Sequence, residues 1–251
     1  MSDEIAPTVP VSLLRHNGRD RVIAVAEVLA CSSIPTQVLL GYLLPLTGLS
    51  ALDAAGHLSL PFVFALSLTD TFVLIVLMAV LTRMHGESVR ELWIGSRPVG
   101  REVLLGVLLV PPIFFSVAVL LNLLRLVAPW LHNVPQNPLE QLAGTPGEAA
   151  MFALVAIFAG GVREELQRAF LLRRFEQYLG GPRVGVVVLS VAFGLGHVMQ
   201  GWDAAITTGT LGAFWAILYL RRRSAVAPIM SHAGFNTAEI LRVVFLSTTP
   251  G

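Results

Sequence analysis

Three short polar clusters interrupt otherwise apolar stretches of this chain, and their residue types are those of hydrolytic chemistry. The densest is Arg163-Glu164-Glu165-Leu166-Gln167-Arg168, which follows the apolar run 151–160. On a helix Glu164 and Arg168 are four apart and share a face, while Glu165 and Arg168 are three apart and nearly do. One arginine there holds a carboxylate in place and keeps it ionised. The second cluster is Phe193-Gly194-Leu195-Gly196-His197, whose glycines permit close helix packing and set His197 against a neighbour. The third is His232-Ala233-Gly234-Phe235-Asn236, with His232 and Asn236 four apart on one face. Two carboxylates, an arginine, two histidines and an asparagine are what activation of a water needs. A carboxylate takes a proton from water, and His and Asn stabilise an oxyanion.

Each cluster alone also has a plain structural reading. The acidic pair suits a helix that has left the membrane for a solvated turn. His197 suits an interface or a cap, and Asn236 suits polar glue between helices. Against the first of these, Ala169-Phe170-Leu171-Leu172 resumes the apolar run before Arg173-Arg174, so the acidic pair is embedded. An ionisable group at the centre of a membrane helix costs about 2.5–3.5 kcal/mol on insertion scales, so each one asks for a reason. Glu27, Asp70 and Glu239 lack patterned partners and read as structural.

The elements that must position these residues are membrane helices. Of 251 residues 13% are charged, against about 25% in an ordinary globular chain. AVILMFWYC residues make up 55%, and the mean hydropathy is +0.73. That composition excludes a soluble enzyme, a disordered tail and a nucleic-acid binder, which would need a basic surface. The single Cys31 excludes an internal disulfide. Seven apolar stretches, at roughly 22–46, 58–82, 102–128, 148–172, 184–199, 203–220 and 225–246, are long or nearly long enough to span about 30 Å of hydrocarbon. They are continuous rather than alternating, so helices are expected and a β-barrel is not. The expected fold is all-α, a polytopic transmembrane bundle of about seven (seven to eight) spans. Residues 1–21 read as a cytoplasmic N-terminal segment rather than a signal peptide, and 22–246 as a single transmembrane domain whose core at 148–246 holds the three polar clusters. Pro111-Pro112 should kink the third span.

All 17 basic residues are Arg, and their positions orient the bundle. Arg15, Arg19 and Arg21 precede the first stretch; Arg83, Arg90, Arg97 and Arg101 follow the second. Arg173, Arg174 and Arg183 follow the fourth, and Arg221, Arg222 and Arg223 the sixth. The loops 47–57, 129–147 and 200–202 contain none. The positive-inside rule assigns the arginine-bearing connections to the cytoplasm. Arg125 and Arg242 fall near outer ends and dissent. Glu164 lies about 15 Å of helix before Arg174, which puts the candidate site in the inner half of the membrane.

At these clusters the sequence resembles the CAAX-protease and bacteriocin-processing family of intramembrane proteases, the type II CAAX prenyl endopeptidase group. The family pattern is E-E-x-x-x-R, F-x-x-x-H and H-x-x-x-N on successive helices. Phe193 to His197 and His232 to Asn236 match in spacing and order; Glu164-Glu165-Leu166-Gln167-Arg168 is one residue short. The resemblance covers roughly 148–240. It implies cleavage of peptide bonds inside a membrane cavity, with Glu164 and His197 activating water, His232 and Asn236 stabilising the oxyanion, and Glu165, Arg168 and Phe193 in support. Either Arg168 orients Glu164 directly, or a local helix bulge restores the family phase, with Glu165 the alternative base.

The implied function is an intramembrane endopeptidase acting on a membrane-associated or lipidated peptide or protein. Membrane lipids and that substrate are the expected partners, with no nucleic acid, and a bacterial inner membrane is the expected location. The alternatives are a non-catalytic membrane scaffold, a bacteriocin-immunity protein of the same fold, or a transporter, although no inverted repeat is seen. The absence of G-x-S-x-G and H-E-x-x-H argues against a serine hydrolase and a zincin. No cofactor is expected. The alternative is Zn2+ on Glu164, His197 and His232, types that suit zinc. A zinc-bound His usually donates its other ring nitrogen to a carboxylate or carbonyl. Neither histidine has an acid within one turn, which argues against the metal, as does the resemblance.

Overall fold

The computed structural model describes the backbone of residues 18–248 and the side chains of 18–245. The expected N-terminal segment lies outside the described residues up to residue 17, and Arg15 with it. The described chain is helical, with an isolated antiparallel bridge between Leu52 and Leu58. In order come α1 (Gly18–Ala30), α2 (Ile34–Leu43), α3 (Leu60–Met84), α4 (Val89–Trp93) and α5 (Val99–Val127). Then follow α6 (Pro146–Val155), a π-helical segment Ala156–Arg163, α7 (Glu164–Tyr178), α8 (Pro182–Leu195), α9 (Trp202–Arg222) and α10 (Val226–Thr248).

Helix starts follow from local chemistry. Thr145 and Glu148 form a reciprocal box at the head of α6. The Thr145 hydroxyl accepts the Glu148 N–H at 3.2 Å and donates to its carboxylate at 2.9 Å, with Pro146 as the first helical residue. Gly180 and Gly181, both at φ +94°, turn the chain from α7 into α8, whose first residue is Pro182. Pro111-Pro112 sit inside an unbroken α5.

Each expected stretch coincides with a helix, but the expected count of seven spans is not matched. Among the described residues α3, α5 and α9 are long and apolar enough to cross a membrane; α1 with α2, bent by 42°, make a fourth if taken as one span. The shortfall has a physical reason. The remaining helices serve the site and carry its polar groups. The α6–π–α7 rod holds Glu164, Glu165 and Arg168, α8 has only 14 residues, and α10 mixes His232, Asn236, Glu239 and Arg242 into its length. Three or four apolar spans still make this an integral membrane protein.

α7 is the shaft of the bundle. Ala169, Phe170, Leu171 and Leu172 are buried around it, against Leu74 and Met78 of α3 and Ala216 and Tyr219 of α9. Acids of the first half meet arginines of the second. Asp70 lies 2.9 Å from Arg163, Glu27 2.8 Å from Arg174, Glu87 3.1 Å from Arg173 and Glu102 3.1 Å from Arg222. So Glu27 and Asp70, structural in the sequence reading, are buried partners of arginines. Glu239 lies 3.0 Å from Arg242. Arg125 reaches Asp203 at 3.1 Å, so both dissenting arginines are ion-paired near the outer end.

Candidate active site

The site begins at the π segment. A π turn holds more residues than an α turn, so it shifts the phase of everything after it. Here it ends at Arg163, and the motif 164–168 is regular α-helix. The bulge thus lies before the acidic pair, not within it. Arg168 therefore bonds Glu165, three residues back, and not Glu164. The expectation that Arg168 orients Glu164 is corrected. Glu164 is held by Arg163, whose Nη2 stands 3.1 Å from Oε1. Arg163 is fixed in turn by Asp70 and by the Ser33 hydroxyl at the α1–α2 break.

The two glutamates occupy different surroundings. Glu165 is 1% exposed; Glu164 lines a cavity of about 420 Å³ together with His197, His232 and Asn236. The three clusters, on α7, at the end of α8 and on α10, are thus brought to one cavity. Close helix approach makes this possible. A Cβ on Gly161 would stand 2.6 Å from that of Ala233, one on Gly160 2.6 Å from the Asn236 amide nitrogen, and one on Gly194 2.6 Å from the Ala205 carbonyl. Only glycine lets these backbones meet.

Both histidines have their Nδ1 engaged. His232 Nδ1 is 2.8 Å from Glu165 Oε1, and its ring stacks on Trp215 at 3.7 Å between centroids. His197 Nδ1 is 2.8 Å from the Phe193 carbonyl, and a carbonyl only accepts, so that nitrogen carries the proton. α8 ends at Leu195, so His197 sits on the connection beyond it, beside the Phe193 ring at 4.8 Å. Each ring is therefore left with Nε2 for other partners. His232 Nε2 stands 3.9 Å from Glu164 Oε2. Asn236 uses one amide hydrogen on the Ala156 carbonyl at 3.3 Å, and its amide has a second. Arg168 completes the support, its guanidinium 4.7 Å over the Phe193 ring.

Residues 145–238 match the family model of type II CAAX prenyl endopeptidase Rce1-like proteins. Over that segment the chain is similar to the Rce1-like family. The match runs from the Thr145 cap through α10 as far as residue 238 and so contains all three clusters. No curated protein and no solved structure matches the chain.

At this site, one step of the argument against zinc is overturned. Each histidine does have the orienting partner that a zinc ligand usually has, on the Phe193 carbonyl for His197 and on Glu165, from another helix, for His232. Sequence spacing along one helix does not reveal the second of these. Among the described residues no three His, Cys, Asp or Glu side chains form a group that could hold a metal ion.

Arg163 stands in the first cluster, but its contact with Glu164 escapes the sequence reading, and adjacency was the available signal. Trp215, 1% exposed and stacked on His232, carries no sequence signal, since an apolar helix position is expected to be filled by such a residue.

Proposed function

We propose that this chain is an intramembrane endopeptidase that hydrolyses peptide bonds of a membrane-associated or lipidated substrate with a Glu164-activated water. The observation that carries the reading is the division between the two glutamates. Glu164 faces the cavity, while Glu165 is buried and spent on His232 and Arg168.

A water about 2.8 Å from both Glu164 Oε2 and His232 Nε2 fits at the apex of their 3.9 Å separation. His197 Nε2 accepts a hydrogen bond from the same water and helps to orient it. Glu164 takes a proton as the water oxygen adds to the scissile carbonyl carbon. The carbonyl π pair moves onto oxygen, where the Asn236 amide and a protonated His232 Nε2 stabilise it. With Nδ1–H given to Glu165, that proton makes the ring cationic, between two carboxylates. The C–N bond then breaks, the nitrogen takes the proton from Glu164, and an amine and a carboxylic acid leave. No metal is used in this reading.

The competing reading is a non-catalytic scaffold of the same fold, and the Asn236 contact to Ala156 favours it, since polar glue between helices needs nothing more. The deciding experiment uses purified protein in lipid vesicles with a library of membrane-anchored peptides, read by mass spectrometry of the cut ends. Wild type should cleave; Glu164→Gln should be slower by about 10²–10⁴-fold. No cleavage by either supports the scaffold; equal cleavage by both takes the base role away from Glu164.

A further inference from the structure

The cavity has one plugged end. Beyond Glu164 and His232 lie Glu165 at 1% exposure, Trp215 at 1% and Arg168 at 6%, a layer that leaves no room for a peptide. Among the described residues, none on the arginine-bearing connections after α3, α7 and α9 lines the cavity. The lining instead runs from Glu164 past Asn236 and Thr208 to Gln200, Asp203 and Asn137. That is the end of the bundle with the arginine-free connections 129–145 and 196–201.

The rim there is built. The Asn133 side-chain Oδ1 accepts the Trp202 N–H at 3.0 Å, His132 Nδ1 stands 2.9 Å from Asp203, and Asn137 Nδ2 stands 3.4 Å from Gln200. Loop 129–145 is therefore fastened to the short connection that also carries His197. We infer that the cavity opens on the face opposite the arginine-rich connections, the non-cytoplasmic face, and that the protein's substrate is a peptide segment presented on that face. What enters rests on the protease reading; where the opening lies does not.

The geometry also sets a reach. Twelve residues of α9 separate Asp203 at the rim from Trp215 beneath His232, about 18 Å of helix. An extended chain covers about 3.3 Å per residue, so a substrate needs about five or six extended residues between any folded part and the cut. The wall along that path is apolar, with Val117, Leu121, Leu211 and Phe235, while the rim is polar. The fitting segment is thus apolar near the scissile bond and polar where it leaves.

The test uses the full chain in a Cys31→Ser background with single cysteines at three places: Thr208→Cys in the cavity wall, Asp53→Cys in an arginine-free loop and Glu91→Cys on an arginine-rich connection. A membrane-impermeant maleimide is applied to intact spheroplasts and to inverted vesicles. Thr208→Cys and Asp53→Cys should label in spheroplasts, and Glu91→Cys only in inverted vesicles. Labelling of Thr208→Cys only in inverted vesicles, or in neither preparation, overturns the inference. So does labelling of Asp53→Cys only in inverted vesicles. A second arm places one cleavable segment on either side of a membrane anchor. Cutting of the outer segment alone is expected, and cutting of the inner one overturns the substrate assignment. Labelling from outside with no cutting of either would sink the protease reading and leave the opening standing.

Discussion

His232 Nδ1 and Glu165 Oε1 stand 2.8 Å apart, and the same carboxylate is bonded by Arg168. Glu165 is therefore not a spare copy of Glu164. It fixes which ring nitrogen of His232 faces the cavity, as a carboxylate behind a histidine does in many hydrolytic sites.

Substituting the two glutamates should separate chemistry from support. Glu164→Gln should keep its melting temperature in detergent while losing activity, because the amide keeps the shape but takes no proton. Glu165→Gln should lose both. It leaves the buried Arg168 without its counter-charge, at a cost of about 3–5 kcal/mol. Parallel thermal unfolding and peptide-cleavage assays check this; a stable, inactive Glu165→Gln would reverse the two roles.

Arg163 positions Glu164 through a chain that begins at Asp70 on α3. Arg163→Ala should lower kcat by about 10²-fold with little change in KM, the usual effect of a misplaced catalytic group. Arg163→Lys should recover part of it. Steady-state kinetics on the three proteins are sufficient, and an unchanged kcat in Arg163→Ala would remove it from the site.

The π segment and α10 meet at Gly161 and Ala233, where a Cβ on the glycine would stand 2.6 Å from the alanine methyl. Gly161→Ala should destabilise by about 1–3 kcal/mol and depress activity by moving Asn236 and His232 away from Glu164. Gly161→Ala with Ala233→Gly should restore much of both. A double variant no better than the single one would show that the contact is not what matters.

Activity should survive exhaustive chelation, and elemental analysis of the purified protein should find well under one zinc per chain. The expectation rests on the dispersed donors and on Asn236, which suits an oxyanion better than zinc. Activity lost on chelation and restored by zinc alone would reassign Glu164, His197 and His232.

Outside the membrane, the Arg223 guanidinium at 2.7 Å holds the Glu176 carboxyl below its usual range. A depressed carboxylate stabilises the fold above its unfolded-state pKa of about 4.5, and that contribution disappears as pH falls through the lower folded value. Wild type should therefore melt above Glu176→Gln at pH 7, by an amount worth about 0.2–1 kcal/mol for an exposed pair. The gap should close on acidification. A gap that widens toward low pH would contradict the pairing.

Residue types were readable from the sequence; their partners were not. Glu164, His197, His232 and Asn236 stand out because polar groups are costly in apolar stretches, and all four line one cavity. Partners escape because a sequence shows spacing along one helix only. The i,i+4 rule points Arg168 at Glu164, yet the structure pairs Arg168 with Glu165 and gives Glu164 to Arg163. His232 finds its carboxylate on another helix, 67 positions away. The span count exceeded what length and composition bear out, because helices facing protein need not be as apolar as those facing lipid. The α-helical fold itself was legible from the unbroken apolar runs.

The ion pairs between the two halves bear on whether this protein can be divided. A cut near residue 145, where the family match begins, would leave Glu27, Asp70 and Glu102 buried in one fragment and Arg163, Arg174 and Arg222 in the other, each parted from its partner across the cut, with only Arg163 keeping Glu164 and Glu27 keeping His85. The family-matched segment is therefore not a portable module with accessory spans attached. The two fragments should each be unstable alone and recombine when made together, since each holds the charges that the other lacks.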